Sequence, residues 1–129
     1  MTDRCRDPLP DDVREGIAMY NRGEYYECHE LLEDAWRAEH DDVRYLYQGI
    51  LQIGVAFHHL GNNNWKGAVG LLTRGIEKVR RFRPECMGVD TERLVHEAEH
   101  CLDMLHRLGP DGTAGFDWTL VPEIIVDSD

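Results

Sequence analysis

Histidine and glutamate recur at helical spacing in two parts of the chain, and such side chains bind transition metals or exchange protons. The first string runs from His96 to His100 and has the form H-E-x-x-H. Two imidazoles four residues apart lie about 40° apart on a helix and can share a zinc ion. A third histidine, His106, follows, but Asp103 stands where metalloproteases use glycine to leave the helix. We therefore interpret this string as the solvated side of a helix, with adventitious metal binding as the alternative.

The second string lies near the N-terminus, in residues 29–36. His29 and Glu33 are four residues apart and project from the same side of a helix, and Trp36 projects there too. This spacing predicts an imidazole and a carboxylate beside a large ring, at the margin of an apolar helix face.

A matching polar stripe occurs on the next predicted helix. Gln48, Gln52 and His59 fall within about 40° of one another on the helical wheel, whereas His58 lies about 100° away. The rest of that helix is apolar around most of its girth, which is typical of a buried central helix. Buried polar groups need partners, because an unpaired one costs about 1–3 kcal/mol. If the second and third helices pack antiparallel, one cluster forms from His29, Glu33, Gln48, Gln52 and His59.

Such a cluster is open to three interpretations. Two imidazoles and a carboxylate suit zinc, iron or manganese with one position left for water, and a His–carboxylate pair also suits a general base. The same groups would form a small-ligand pocket without chemistry, or a structural hydrogen-bond network that fixes helix register. No phosphate-binding glycine loop, dinucleotide fingerprint or nucleophile motif accompanies them.

The elements that position these residues are all predicted to be helices. The chain has 129 residues, which fits one domain. Apolar periodicity and turn residues predict five helices, over about 12–22, 24–39, 41–60, 65–82 and 91–108. Asp41 or Asp42 is the predicted cap of the third helix, and Asp90 or Thr91 that of the fifth. We expect an all-α bundle over about 11–108 and an extended tail over 109–129, with Trp118 and residues 121–126 lying against the bundle. A strand in this tail would have no obvious partner.

A weak internal repeat supports antiparallel helical hairpins. Shifting the second helix by 40 residues superposes Tyr25 on Trp65, Cys28 on Ala68, and Leu31-Leu32 on Leu71-Leu72. Tetratricopeptide-type hairpins seat one helix against the next in this way. Two copies at this long period indicate helix pairing rather than a solenoid.

The charge balance excludes some partners. Asp and Glu number 25 against 14 Lys and Arg, for a net charge of −11, and only Lys66 and Lys78 are lysines. Arginine in place of lysine on a carboxylate-rich surface suggests a salt-rich cytoplasm, where screening relieves self-repulsion. No basic stripe for nucleic acid is present, and an anionic membrane surface is disfavoured.

The remaining features agree with a cytoplasmic protein. Residues 1–5 carry no apolar signal segment, and the longest apolar stretch, 45–60, is too short and too polar to span a bilayer. No C-x-x-C pair occurs, and Cys28 and Cys101 fall at predicted core positions. We expect a monomer or small homo-oligomer whose small-molecule or protein partner the sequence does not identify.

The sequence resembles a known family over about residues 13–83. The similar segments are residues 20–36 (YNRGEYYECHELLEDAW), 46–56 (LYQGILQIGVA), 58–60 (HHL) and 63–68 (NNWKGA). Together they are similar to domain-of-unknown-function family 309, with Asn63 in place of a turn glycine. The resemblance implies a small all-helical bundle and a predicted metal-dependent hydrolase. Carried over position by position, it singles out His29, Glu30, Glu33, Trp36, Gln48, Gln52 and His59.

Two hypotheses from different classes follow. In the first, a divalent metal is held by His29, Glu33 and His59, while Glu30 or a glutamine orients water, and His29, Glu30 and Glu33 are the catalytic candidates. Trp36, Gln48, Gln52 and His59 would contact the ligand. In the second, the protein is a non-enzymatic interaction or scaffold module and the polar cluster is structural.

Overall fold

The computed structural model of the chain describes residues 3–127; Met1, Thr2, Ser128 and Asp129 lie outside the described part. Five α-helices account for most of it: α1 (Asp11–Asn21), α2 (Cys28–Ala38), α3 (Arg44–Gly61), α4 (Trp65–Arg80) and α5 (Thr91–Leu108). Short 3₁₀ helices cover Asp3–Arg6, Thr113–Gly115 and Trp118–Leu120. The predicted all-α bundle is confirmed, and residues 3–127 contain no helix long and apolar enough to cross a membrane.

Consecutive helices pack against each other in antiparallel pairs. Trp36 near the end of α2 contacts Arg44 at the start of α3. The Trp65 indole, at the start of α4, donates a 2.7 Å hydrogen bond to the Leu105 carbonyl near the end of α5. The repeat has a structural counterpart, because Cys28 and Ala68 are both buried against the core. The predicted hairpin pairing therefore holds.

Two helix starts differ from the predicted ones. Residues 25–27 form a turn, so α2 begins at Cys28 rather than near residue 24, and the Tyr25 ring packs against Tyr20 and Phe57. The cap of α3 is Val43, without a side-chain hydrogen bond, so neither Asp41 nor Asp42 caps this helix. In contrast, Asp90 caps α5 as predicted, accepting from the Arg93 amide.

The backbones of α3 and α4 approach each other where glycine faces glycine. A Cβ atom at Gly75 would lie 2.8 Å from the Gly49 carbonyl oxygen and 3.1 Å from the Ile53 amide nitrogen. A Cβ at Gly49 would lie 3.0 Å from the Gly75 carbonyl oxygen. Only residues without a side chain permit this distance, which sets the spacing and rotation of the two helices.

The C-terminal tail lies against α1 and α5, as predicted. Asn21 forms two 2.9 Å hydrogen bonds with the backbone of Ile124, and the Tyr20 hydroxyl donates to the Pro122 carbonyl at 2.8 Å. The tail forms no named strand within the described residues, although Val126 forms an isolated antiparallel bridge with Val89.

The four cysteines separate into two kinds. Cys28 and Cys101 are buried free thiols, as predicted, and burial raises the pKa of each to about 12, which makes them poor nucleophiles. Cys5 and Cys86, to which the sequence analysis assigned no role, form a disulfide across 81 residues. This disulfide ties the N-terminal 3₁₀ helix to the segment that precedes α5.

The glycine contact predicts unequal effects of two alanine substitutions on α4. Gly75→Ala should lower the free energy of unfolding by about 1–3 kcal/mol, because a backbone carbonyl cannot yield as a side chain can. Gly70→Ala is the matched control. Its Cβ would meet only the mobile end of Arg74, at 3.2 Å, so helix propensity should make it neutral or stabilising by up to about 1 kcal/mol. Denaturant unfolding measures both variants, and equal effects would contradict the assigned backbone contact.

Candidate functional site

One stripe along α3 is half-buried, whereas the positions between are fully buried. The half-buried residues recur every three or four positions: Arg44, Tyr45, Gln48, Leu51, Gln52, Val55, His58 and His59. Because α2 and α4 both pack on α3, these residues form a floor with a helix on either side. We call this surface the α3 face.

The N-terminal end of the α3 face is cationic and aromatic. The Arg44 guanidinium lies 4.7 Å from the centre of the Trp36 ring and 5.9 Å from that of Tyr45. The Arg81 guanidinium lies 5.8 Å from the same Tyr45 ring. Two arginines, one at the start of α3 and one directly after α4, thus lie near one aromatic side chain.

Lys78 adds a third cation to this end, and we define the cationic end as Arg44, Lys78 and Arg81. The Lys78 ammonium donates a 3.1 Å hydrogen bond to the Gln52 side-chain oxygen. Burial lowers the pKa of Lys78, and the charges of Arg81 and Arg74 lower it further. Among residues 3–127, no carboxylate oxygen lies within 4 Å of the nitrogens of Arg44, Lys78 or Arg81. Lys78 and Arg81 therefore repel each other, and the charge of Glu77 acts on the pKa of Lys78 in the opposite direction.

Two hydrogen-bond donors in the same place lack an acceptor. Trp36 Nε1 and Arg44 Nε are both covered by neighbouring atoms, and neither has a partner within the described residues. A covered donor without an acceptor costs about 1–3 kcal/mol. Both donors belong to side chains in contact with each other, so a single acceptor group could serve both after a small movement of Arg44.

Most of the site residues predicted on α2 have partners other than the site residues predicted on α3. Trp36 does contact α3, through Arg44, whereas Glu33 forms a 3.1 Å ion pair with Arg37 on its own helix. Glu30 is exposed. Gln52 faces α4, where it bonds Lys78, instead of α2 as expected. The reason is the glycine contact, which turns this side of α3 toward α4.

At the C-terminal end of the α3 face, the predicted ligands His29 and His59 bond to different residues. His29 donates from Nδ1 to the Tyr26 carbonyl at 2.9 Å, and its ring lies 4.8 Å from the Tyr26 ring. The centre of the His58 ring lies 4.8 Å from the centre of the same Tyr26 ring, whereas His59 accepts from the Asn64 side-chain amide at 3.4 Å. His58, predicted to be the weaker member, is thus the one that shares a contact with His29.

This arrangement bears on the predicted metal ligands. Within residues 3–127 no group of three or more His, Cys, Asp or Glu side chains is placed to hold a metal ion. His29, Glu33 and His59 have separate partners, namely Tyr26, Arg37 and Asn64. The structure does not bring the proposed three-ligand set together.

The H-E-x-x-H string lies on α5, and its glutamates form ion pairs with arginines at the surface. His96 and His100 are exposed. Glu97 forms a 3.1 Å ion pair with Arg93, and Glu99 pairs with Arg80 on α4. These contacts match the interpretation of this string as a solvated helix side.

The sequence analysis missed Arg44, Lys78 and Arg81. Their signal was present, because Arg74, Lys78 and Arg81 recur at helical spacing in a chain that has only two lysines. Cations favour the C-terminal end of a helix, which explains Lys78, but Arg44 is the first residue of α3, where the helix dipole disfavours a cation. Arg44 is therefore the residue that this local rule does not explain.

Comparison with known proteins confirms the family resemblance. Residues 13–71 match the model of the family described as domain of unknown function (DUF309). This region contains most of α1 and all of α2 and α3, and it reaches into α4. It therefore covers every residue of the α3 face, whereas Lys78 and Arg81 lie beyond it.

Two curated relatives are both described as uncharacterised proteins. The chain is 33% identical over 82 residues to the uncharacterised protein YpuF of Bacillus subtilis (strain 168), covering 61% of this chain and 47% of that protein. It is 22% identical over 65 residues to an uncharacterised protein of Aquifex aeolicus (strain VF5), covering 50% of this chain and 20% of that protein. The chain thus spans about half or less of the relatives it matches.

The electrostatics of the cationic end predict a measurable coupling. Arg81→Gln should raise the pKa of Lys78, because it removes one of the two positive charges that lower it. Titration of the lysine side-chain carbon signals by NMR measures this directly. Assignment is simple, since Lys66 is the only other lysine and serves as the internal reference. A Lys78 titration that Arg81→Gln leaves unchanged would show that the two cations do not interact.

Proposed function

We propose that the protein is a non-catalytic binding module that captures an anionic group at the cationic end of the α3 face. The observation that carries this proposal is the convergence of Arg44, Lys78 and Arg81, without a close carboxylate from the described residues, on a chain of net charge −11. Elsewhere on this acidic protein, arginines such as Arg4 and Arg93 pair with carboxylates.

The chemistry of the donors specifies the class of ligand. Guanidinium groups bind carboxylates and phosphates through paired, charge-assisted hydrogen bonds. After a small movement of Arg44 exposes them, the unpartnered Trp36 Nε1–H and Arg44 Nε–H would donate to the same anion. Gln48 and Gln52, predicted as ligand contacts, flank this end and would contact the uncharged part of the ligand. A small phosphate or carboxylate compound fits these groups.

Titration with inorganic phosphate and with acetate, at constant potassium chloride, tests the proposal. Binding should shift the Trp36 indole N–H signal in a saturable way, with Trp65 and Trp118 as internal references. Arg44→Gln and Arg81→Gln should each weaken binding about tenfold, which is the effect of losing one charged hydrogen bond. Comparison of the two anions shows whether a phosphate or a carboxylate is preferred.

The matched control for this experiment is Arg107→Gln. Arg107 is an exposed arginine of α5, so its substitution changes the net charge equally while leaving the α3 face intact. An equal loss of affinity in Arg107→Gln would mean that net charge alone attracts the anion, and the proposed site would be wrong. Absence of a saturable shift would contradict it as well.

We also propose that the protein works in a salt-rich cytoplasm as one folding unit. The low lysine content and the net charge of −11 support this. The disulfide is the feature that needs explanation there, because cytosolic disulfides are uncommon. Cys5 and Cys86 are both buried, and burial slows attack by cellular thiols.

Salt should therefore stabilise the protein. The thermal unfolding midpoint should rise from low salt to molar potassium chloride in a single transition, by about 4 °C for each kcal/mol gained. The reason is that screening reduces repulsion among the surface carboxylates. Sucrose at equal osmolality is the control, since it changes hydration without screening charge. Equal midpoints at low and high salt would contradict the adaptation to salt.

A further inference from the structure

A concave site lies at the C-terminal end of the α3 face. The turn before α2, the C-terminal end of α3 and the 3₁₀ helix at residues 118–120 line an open cavity of about 300 Å³. Its aromatic walls are Tyr25, Tyr26, Phe57 and Trp118, with His58 at one side. We call it the aromatic pocket. Its volume is at the lower end of the range for small-molecule sites.

The rim of the aromatic pocket exposes rings that the fold does not bury. Tyr26 is 52% exposed and Trp118 is 43% exposed, and these are the exposed large hydrophobic side chains of the described chain. The Trp118 ring stacks on Tyr25 with centres 6.3 Å apart. Stacking holds the indole in place and leaves part of it open to the cavity. Because these two rings remain exposed at one cavity and are not buried in the core, they indicate a binding surface.

The charge at this pocket has the opposite sign to that of the cationic end. The lining contains one charged side chain, the exposed carboxylate of Glu27, and no lysine or arginine. No basic nitrogen of residues 3–127 lies within 4 Å of the Glu27 carboxylate. Ring faces carry negative electrostatic potential, so rings and carboxylate together attract a cation.

We infer that the aromatic pocket binds the methylated ammonium group of a small organic cation. The methyl groups would contact the faces of Tyr26 and Trp118, and the Glu27 carboxylate would balance the charge. A methylated ammonium group suits this lining better than a primary one. It has few N–H donors to satisfy, and the walls offer mainly rings, whereas a primary ammonium would lose hydration without enough acceptors.

Choline and its uncharged carbon isostere, 3,3-dimethyl-1-butanol, test the inference because they have the same shape and differ in charge. Calorimetric titration of the full chain should show choline binding at least fivefold more tightly than the isostere, as expected for a cation held over rings. Methylamine should bind more weakly than choline. Equal binding of choline and the isostere would reveal a merely apolar cavity, and equal binding of methylamine would overturn the preference for methyl groups.

Substitutions locate the site. Tyr26→Leu and Glu27→Gln should each weaken choline binding at least threefold, and both residues are exposed, so the fold should tolerate them. Trp118→Leu should weaken it further, although Trp118 also contacts Tyr25 and Phe57. Tyr45→Leu, at the cationic end of the same face, is the matched control and should bind choline like the parent. Loss of binding in Tyr45→Leu, or unchanged binding in Tyr26→Leu and Glu27→Gln, would place the cation elsewhere and overturn the inference.

Discussion

The close approach of α3 and α4 at Gly49 and Gly75 determines what the rest of the molecule can present. Because each glycine faces the carbonyl oxygen of the other, the rotation of α3 relative to α4 is fixed by backbone atoms, not by side chains that could repack. That rotation buries Leu46, Ile50 and Ile53 and leaves one half-buried stripe. It also brings Gln52 within reach of Lys78. Which residues of α3 remain half-buried is therefore a consequence of having glycine at positions 49 and 75.

The C-terminal tail determines what the protein presents at the C-terminal end of the α3 face. Asn21 and Tyr20 hold residues 122–124 by backbone hydrogen bonds, and Cys101 donates to the Leu120 carbonyl at 3.2 Å. These bonds fix the last residue of the 3₁₀ helix that carries Trp118 and the segment that follows it. The indole then stacks on Tyr25, which the turn before α2 supplies. The aromatic pocket thus depends on hydrogen bonds between residues about a hundred positions apart in the sequence.

The sequence was sufficient for the features that depend on local rules. Apolar periodicity predicted five helices, the Asp90 cap was correct, and Asn63 has the positive φ expected of a turn residue that replaces glycine. The tail was correctly predicted to lie on the bundle. These features depend on residues within a few positions of each other, or on the simple need to cover apolar surface.

The arrangement of the site could not be predicted in the same way. A helical wheel gives angles between residues of one helix, but it does not give the rotation of that helix against its neighbours. Gln48, Gln52 and His59 do share a stripe, yet Gln52 faces α4, and His58 is the histidine that reaches Tyr26. The Cys5–Cys86 pairing is equally invisible to spacing, since it joins residues 81 positions apart. Such features follow from tertiary packing alone.

The two ends of the α3 face are too far apart to belong to one small-molecule site. Arg44 and His58 are 14 positions apart on a continuous helix, which corresponds to about 21 Å. The floor between them contains no charged side chain: Gln48 and Gln52 are neutral, and Leu51 and Val55 are apolar. Cationic groups lie at one end and rings with a carboxylate at the other, so the ends attract opposite charges. Binding at one end therefore neither requires nor excludes binding at the other, and the two proposals stand or fall on separate side chains.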